Sequence, residues 1–291
     1  MNAKLLLGIL CMTALSCAHT TPAPVAAPAA SADNAYYGQE TLQSVVWMQS
    51  SVEYQAAARQ AYANATRALD AALADPSWNA VSESTSAPGG GLRPAVILDV
   101  DETCVDNSVY EAELLLAKEL HGEERWDAFV KSGKVSAVPG AREFLRHAAS
   151  RGVAVFYVTN QNVRLEAATR ANLTKLGFPL DEARDTLLMV AERPEWTSDK
   201  ASRRLFVAQE HRVLLLLGDD FNDFVNANGK SMDERRAIYD RYRDWFGTKW
   251  FMLPNPAYGS WERAVTAGSG KSAREKFEAK VKALRTTAAA D

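Results

Sequence analysis

The stretch PAVILDVDETCVDNS, residues 94–108, decides the fold. It opens with a short apolar run and breaks into acids, Asp99 and Asp101, standing two apart. A run with no polar–apolar alternation belongs to a strand buried on both faces, which is the parallel-sheet situation. Downstream the same unit recurs: VAVFYVT, TLLMV and RVLLLLG read as strands and KWFMLPN as the last. Between them lie GAREFLRHAASRG, NVRLEAATRANLTKLG and SDKASRRLFVAQEH, three helical patterns, of which the first two close on Gly152 and Gly177 at cap positions. Strand and helix in alternation predict a doubly wound α/β fold with a parallel sheet covered on both sides.

Open parallel sheets bind ligands beyond the carboxyl ends of their strands. The residues just past each strand are therefore decisive. After PAVIL stand Asp99 and Asp101; after VAVFYV stand Thr159 and Asn160; after RVLLLLG stand Asp219, Asp220 and Asp223. So many carboxylates at one place are costly unless a cation neutralises them. Oxygen ligands of this kind select a hard ion such as Mg²⁺. Neither His nor Cys clusters with the acids, which argues against zinc. A divalent ion beside carboxylates suits phosphoryl transfer. Asp99 is placed as a nucleophile, and Asp101 as the acid that protonates the leaving oxygen and then activates water. Lys200, at the start of a predicted helix, opposes the helix dipole, a cost that makes sense if its charge faces an anion. Arg203 and Arg204 are close competitors for that role. Thr159 can donate its hydroxyl hydrogen to the same phosphate. The formal net charge of -3 lacks the basic footprint of a nucleic-acid polymer binder.

The order DVDET, a strand ending in Thr159, Lys200, then GDDFND resembles the four motifs of the haloacid dehalogenase superfamily. DETCVDNS, AVPGAREF, VFYVTN, GDDFNDF, MLPNPAYGSWE and WMQSSVEYQA resemble its bacterial class C acid phosphatases, including the surface lipoprotein 5′-nucleotidases, over roughly residues 40–265. The resemblance implies a Rossmann-like doubly wound sheet with a small, mostly helical addition covering the substrate. It implies a Mg²⁺-dependent phosphomonoesterase with Asp99 as nucleophile and metal ligand. Asp101 would be acid/base and bind the metal through its carbonyl; Asp219 would be a further ligand, with Asp223 supporting the ion. Thr159 and Lys200 would hold the phosphate, with Asn160 beside the substrate. Trp126 and Tyr258 match the two rings that sandwich a nucleobase, so nucleoside monophosphates are the implied substrates, and a homodimer the implied assembly. Two departures stand out: Asp220 and Asn222 exchange the family's usual Asn and Asp, and Phe129 fills the place of a second aromatic. The alternatives are a broad acid phosphatase of non-nucleotide esters and a non-catalytic anchored storage protein; the presence of Asp99 disfavours the latter.

At the other end of the chain, Lys4 precedes an apolar run, Leu5 to Leu15, too short to span a bilayer and right for a signal peptide. ALSCAHT resembles a lipobox, with Ser16 before the cut and Cys17 lipidated; the alternative is a plain signal peptide cleaved nearby. The expected layout is a leader over 1–16, Cys17 and an Ala/Pro-rich tether over 17–38, a catalytic domain over 39–285 with helical additions near 39–80 and 104–138, and a frayed tail over 286–291. This layout implies export and a lipid anchor on the bacterial outer membrane or cell surface. With Cys11 removed and Cys17 acylated, Cys104 stands alone and no internal disulfide forms.

Overall fold

The computed structural model describes residues 39–84, 91–270 and 272–286. The expected leader, Cys17 and tether therefore lie outside the described residues, as does the tail beyond Thr286. Among the described residues no helix is long and apolar enough to cross a membrane.

The predicted strands form one parallel sheet. It contains β1 (Arg93–Leu98), β4 (Ala154–Asn162), β5 (Leu187–Val190), β6 (His211–Gly218) and β7 (Trp250–Met252), ordered β5-β4-β1-β6-β7. The chain builds outward from β1 to β4 and β5, then crosses over to β6 and β7. The switch in direction leaves a crevice beside the carboxyl end of β1, where Asp99 emerges.

Alternate side chains of β1 enter two cores. Val96 and Leu98 join the face covered by α2 (Val52–Ala74), α5 (Ala141–Ser150) and α6 (Glu166–Lys175). Ala95 and Ile97 join the face covered by α7 (Ala201–Glu210) and α8 (Met232–Tyr242). On that second face Trp250 is fully buried among Phe224, Tyr242, Trp245 and Phe246, and its indole nitrogen donates to Ala80 O at 2.8 Å. A buried Trp needs such a partner for its N–H.

The helical addition expected near 39–80 contains two helices. α1 (Leu42–Ser50) ends at Ser51, whose backbone is extended (φ -87°, ψ 144°), and α2 begins there. Ser51 Oγ accepts from Tyr54 N at 3.0 Å, an N-cap that satisfies one of the new helix's free donors. The break lets α1 leave the sheet layer and place Met48 against Tyr54 and Ala257, with Trp47 and Tyr258 packed around them.

Between β1 and α5 the chain makes the expected addition. α3 (Ser108–Ala117) and α4 (Glu123–Ser132) are closed at their base by a two-stranded antiparallel ribbon, β2 (Val105–Asp106) with β3 (Ser136–Ala137). Arg164 ties this addition to the end of β4, donating to both oxygens of Asp127 at 2.9 and 2.8 Å and to Glu123 at 2.5 Å. Beyond β7, α9 (Ser260–Val265) and α10 (Ala273–Ala283) finish the described chain.

Candidate active site

Asp99 is the first residue past β1, and its N–H still donates to Leu217 O of β6 at 3.0 Å. The next turn is compact: Cys104 N and Val105 N both donate to Val100 O, at 2.9 and 2.8 Å, and Glu102 N donates to Val105 O at 2.7 Å. Glu102 takes up the left-handed conformation (φ 52°) to close it, and its side chain turns inward to accept Asn107 N at 2.9 Å. The fully buried Cys104 thiol donates to Asp99 O at 3.2 Å, and Tyr62 of α2 holds Thr103 O at 2.6 Å. The loop carrying both predicted catalytic acids is thus pinned from beneath.

Asp99, Asp219 and Asp223 come from two neighbouring strand ends, and one carboxylate oxygen of each lies within 4.8 Å of the others. Lys200 closes the group from α7. Its Nζ donates to Asp99 Oδ1 at 2.5 Å and to Asp223 Oδ1 at 2.6 Å, and it is only 3% exposed. Burial alone would lower the lysine's pKa; Asp223 and Asp99 outweigh it and hold the ammonium charged. The residue occupies the N-cap position of α7, while Asp199 Oδ1 accepts Ala201 N at 2.9 Å. An acid thus meets the helix's free donor, and the lysine is released toward the carboxylates.

Asp219 receives neutral donors, Thr103 Oγ1 at 3.1 Å and Asn255 Nδ2 at 2.9 Å. Burial, then the charges of Asp99 and Asp223, push its pKa well up. Burial likewise raises Asp99, and it raises Asp223 to about 7, in both cases against the opposing pull of Lys200. One lysine among these acids leaves an excess of negative charge in a buried place. Oxygen-only donors with that excess fit a hard divalent cation, which Asp99, Asp219 and Asp223 would hold.

Asp101 stands apart from that trio. Its Oδ1 accepts Asn107 Nδ2 at 2.9 Å and Gln161 Nε2 at 2.8 Å, and Thr159 Oγ1 approaches its Oδ2 at 3.3 Å. Burial raises its pKa and these hydrogen bonds oppose the rise. The adjacent Asn160 has its amide engaged at both ends, donating to Ser198 O at 3.2 Å and accepting from Arg203 at 2.8 Å.

The two arginines that competed with Lys200 point elsewhere. Both are fully buried. Arg203 reaches Thr159 O, at 2.5 Å, and Thr197 O, at 2.7 Å, while Arg204 reaches Asn222 O at 2.9 Å and pairs with Glu83. Lys200, Arg203 and Arg204 are three and four residues apart, so one helical turn grips the ends of β4 and β6 as well as the nucleophile candidate.

Asp220, whose role is open in the sequence, is a double cap. Its Oδ1 accepts Asn222 N at 2.9 Å and Ser260 Oγ at 2.5 Å, and its Oδ2 accepts Ser260 N at 2.5 Å. Burial works against its ionisation, but the Ser260 and Asn222 donors outweigh it and lower its pKa. Asp223 completes the reciprocal arrangement by accepting Asp220 N at 2.9 Å on Oδ2.

The two aromatic candidates sit in different clusters. Trp126, on α4, lies against Tyr110 at 5.0 Å between ring centres and stacks on buried Phe129 at 5.8 Å. Phe129 therefore backs Trp126 from the core side. Tyr258 packs with Met48, Tyr54 and Ala257, and its N–H, with that of Ala257, turns toward Asn255 Oδ1. Gln161, Asn107 and Asn255 do not stand out in the sequence. Each is an amide that orients one of the acids, and a single amide, whether near the end of β4 like Gln161 or in a loop, carries no spacing signal.

Buried carboxylates that could hold a cation, with the buried Lys200 beside them, meet at the switch point of a doubly wound α/β fold. The chain belongs to the HAD superfamily, subfamily IIIB (acid phosphatase), whose family model matches residues 6–261. The class C acid phosphatase from Bacillus anthracis has a similar structure: TM-score 0.75, 30% identity, covering 87% of this chain and 99% of that one. Its tungstate-bound form gives a TM-score of 0.73 at 29% identity, covering 87% and 100% of the two chains. By sequence the chain is 25% identical over 173 residues to acid phosphatase 1 of Solanum lycopersicum, 58% of this chain and 60% of that protein. It is 21% identical over 173 residues to the stem 28 kDa glycoprotein of Glycine max, 57% and 60% of the two. The match thus spans about three fifths of the length of these curated relatives.

Proposed function

We propose that this protein is a Mg²⁺-dependent phosphomonoesterase that hydrolyses nucleoside monophosphates and other phosphomonoesters through a phospho-aspartate on Asp99, and that Cys17 anchors it to an exported membrane surface. The observation that carries the reading is the meeting of Asp99, Asp219, Asp223 and Lys200 beyond the carboxyl ends of β1 and β6. Tungstate, bound by the Bacillus anthracis enzyme, is a tetrahedral oxyanion like phosphate, which supports an anion-accepting crevice here. When bound, Mg²⁺ would supply positive charge to the transferring group. The chain's own residues do the rest. Lys200 opposes the effect of burial on Asp99, favouring its ionised form, and offers a positive charge beside it. Asp99 forms an O–P bond as the ester P–O bond breaks, and the departing oxygen takes a proton from Asp101. Water then gives a proton to Asp101 and bonds to phosphorus as the acyl-phosphate P–O bond breaks. Asp99 is regenerated and inorganic phosphate leaves.

Asp99→Asn should lower Mg²⁺-stimulated phosphate release by roughly a thousandfold or more, as loss of a nucleophile does. Normal turnover by this variant would sink the covalent route. The nucleotide preference rests on Trp126 and Tyr258 as faces for a base. Stacking on an aromatic side chain is worth about 1–3 kcal/mol, so Trp126→Ala should raise KM for nucleoside monophosphates about tenfold and leave KM for p-nitrophenyl phosphate nearly unchanged. An equal rise for both substrates favours the broad acid phosphatase.

A further inference from the structure

Asp101 has two carboxylate oxygens, and only one can serve a leaving group. Its Oδ1 is taken by two amide donors, Asn107 Nδ2 at 2.9 Å and Gln161 Nε2 at 2.8 Å. Amide N–H groups donate and cannot accept, so a proton on Oδ1 would collide with them. Oδ2, which among the described residues only the Thr159 hydroxyl approaches, at 3.3 Å, is left as the oxygen able to carry a proton to the substrate.

The orientation of Gln161 is set from its far end. Its Oε1 accepts Thr169 Oγ1 of α6 at 2.5 Å, and its backbone N–H donates to Thr159 Oγ1 at 3.0 Å. Turning the amide over would press its carbonyl against the Asp101 carboxylate, two acceptors face to face. Gln161 is 6% exposed and lines a small void of about 10 Å³ with Asn107, Thr169 and Asn172. It therefore lies behind Asp101, away from solvent and away from the carboxylate trio.

We infer that Gln161 is a positioning residue of the phosphomonoesterase site: with Thr169 behind it, it locks the Asp101 carboxylate so that Oδ2 alone faces the leaving oxygen. This rests on the proposed function, in which Asp101 is the acid/base. The consequence is a dependence on the leaving group. An ester of a weakly acidic alcohol needs the proton as its P–O bond breaks, whereas p-nitrophenolate departs without one.

The experiment compares kcat/KM, which reports phosphoryl transfer to Asp99 alone, for p-nitrophenyl phosphate and for simple alkyl phosphates, with Mg²⁺ present. For Gln161→Leu, close in volume but without donor or acceptor, the expected loss is about 30- to 100-fold on alkyl esters and at most about threefold on the p-nitrophenyl ester. Inhibition by inorganic phosphate should stay within about threefold of wild type, since the anion-binding groups are untouched. Thr169→Val frees the far end of the amide at small cost to packing. It should show the same selectivity at about 3- to 10-fold, and it keeps the question answerable if the leucine variant folds poorly. Equal losses on both ester classes, or no loss on either, overturn the inference while leaving the phosphomonoesterase intact. A wild-type chain inactive on both ester classes overturns the parent reading instead.

Discussion

Gly218, the last residue of β6, shows how one atom can matter at this site. A Cβ there would lie 2.2 Å from Asp223 Oδ2 and 2.4 Å from Asp223 Cβ. The clash involves the root of a short side chain, so no rotation of a flexible tip relieves it. Gly218→Ala must push Asp223 off Lys200 and off Asp220 N. The expected result is a loss of about 1–3 kcal/mol in stability from overpacking and a fall of about 10- to 100-fold in kcat/KM from the misplaced acid. Denaturant melts and steady-state kinetics check the two, and a variant with wild-type values for both would refute the close-packing account. In the sequence this glycine ends an apolar run and opens GDDFND, and neither reading shows its packing against Asp223. Asp99, Asp219 and Lys200 are legible because acids and a lysine stand out at strand and helix ends. Gln161 and Asn255 are not, because their value comes from reaching across the sheet edge to a partner that no local pattern predicts. Arg203 and Arg204 carry a charge signal that local sequence cannot resolve: their guanidinium groups hold backbone carbonyls in the interior.

Secondary structure is the most readable level, for a physical reason. Each of the five sheet strands is a short apolar run between turn-forming residues, and the two glycines expected to cap helices, Gly152 and Gly177, both have positive φ (70° and 73°). The stop between α1 and α2 is not readable in the same way. Apolar spacing of three and four continues across Ser51, and only the cap made by its hydroxyl, together with the docking of Met48 on Ala257, turns one periodic stretch into two helices. The ribbon β2–β3 is hidden for a related reason. Two residues per strand are too few to show alternation, and the pairing joins Val105 to Ala137, far apart in sequence. What these elements accomplish together is a rigid frame. α2 holds the loop after β1 through Tyr62, α7 holds the ends of β4 and β6, and Arg164 fastens the helical addition to the sheet.

At the scale of the whole molecule the buried acids set stability against function. Burial lifts Asp223 out of the ordinary carboxylate range to a pKa of about 7, and it raises Asp99 and Asp219 as well. A carboxyl group whose folded pKa is raised contributes stability fully below its unfolded pKa and loses that contribution as pH climbs through the folded value. Chelated protein should therefore be more stable at pH 5 than at pH 8. Asp220 works in the opposite sense: its lowered pKa gives stability above the unfolded value that is lost only on further acidification, so it does not confuse this range. A divalent cation held by these acids would replace the protons, and protons would compete with it. Mg²⁺ at a hundred times its Kd would add about 2.7 kcal/mol, or about 5–10 °C in Tm for a chain of this size, when the acids are ionised at pH 8. At pH 5 the gain shrinks because binding must first displace protons. Thermal melts with Mg²⁺ and with chelator at the two pH values measure that gap directly. A gap of the same size at both, or one larger in acid, would mean that the raised carboxyl groups are not the ones that hold the ion.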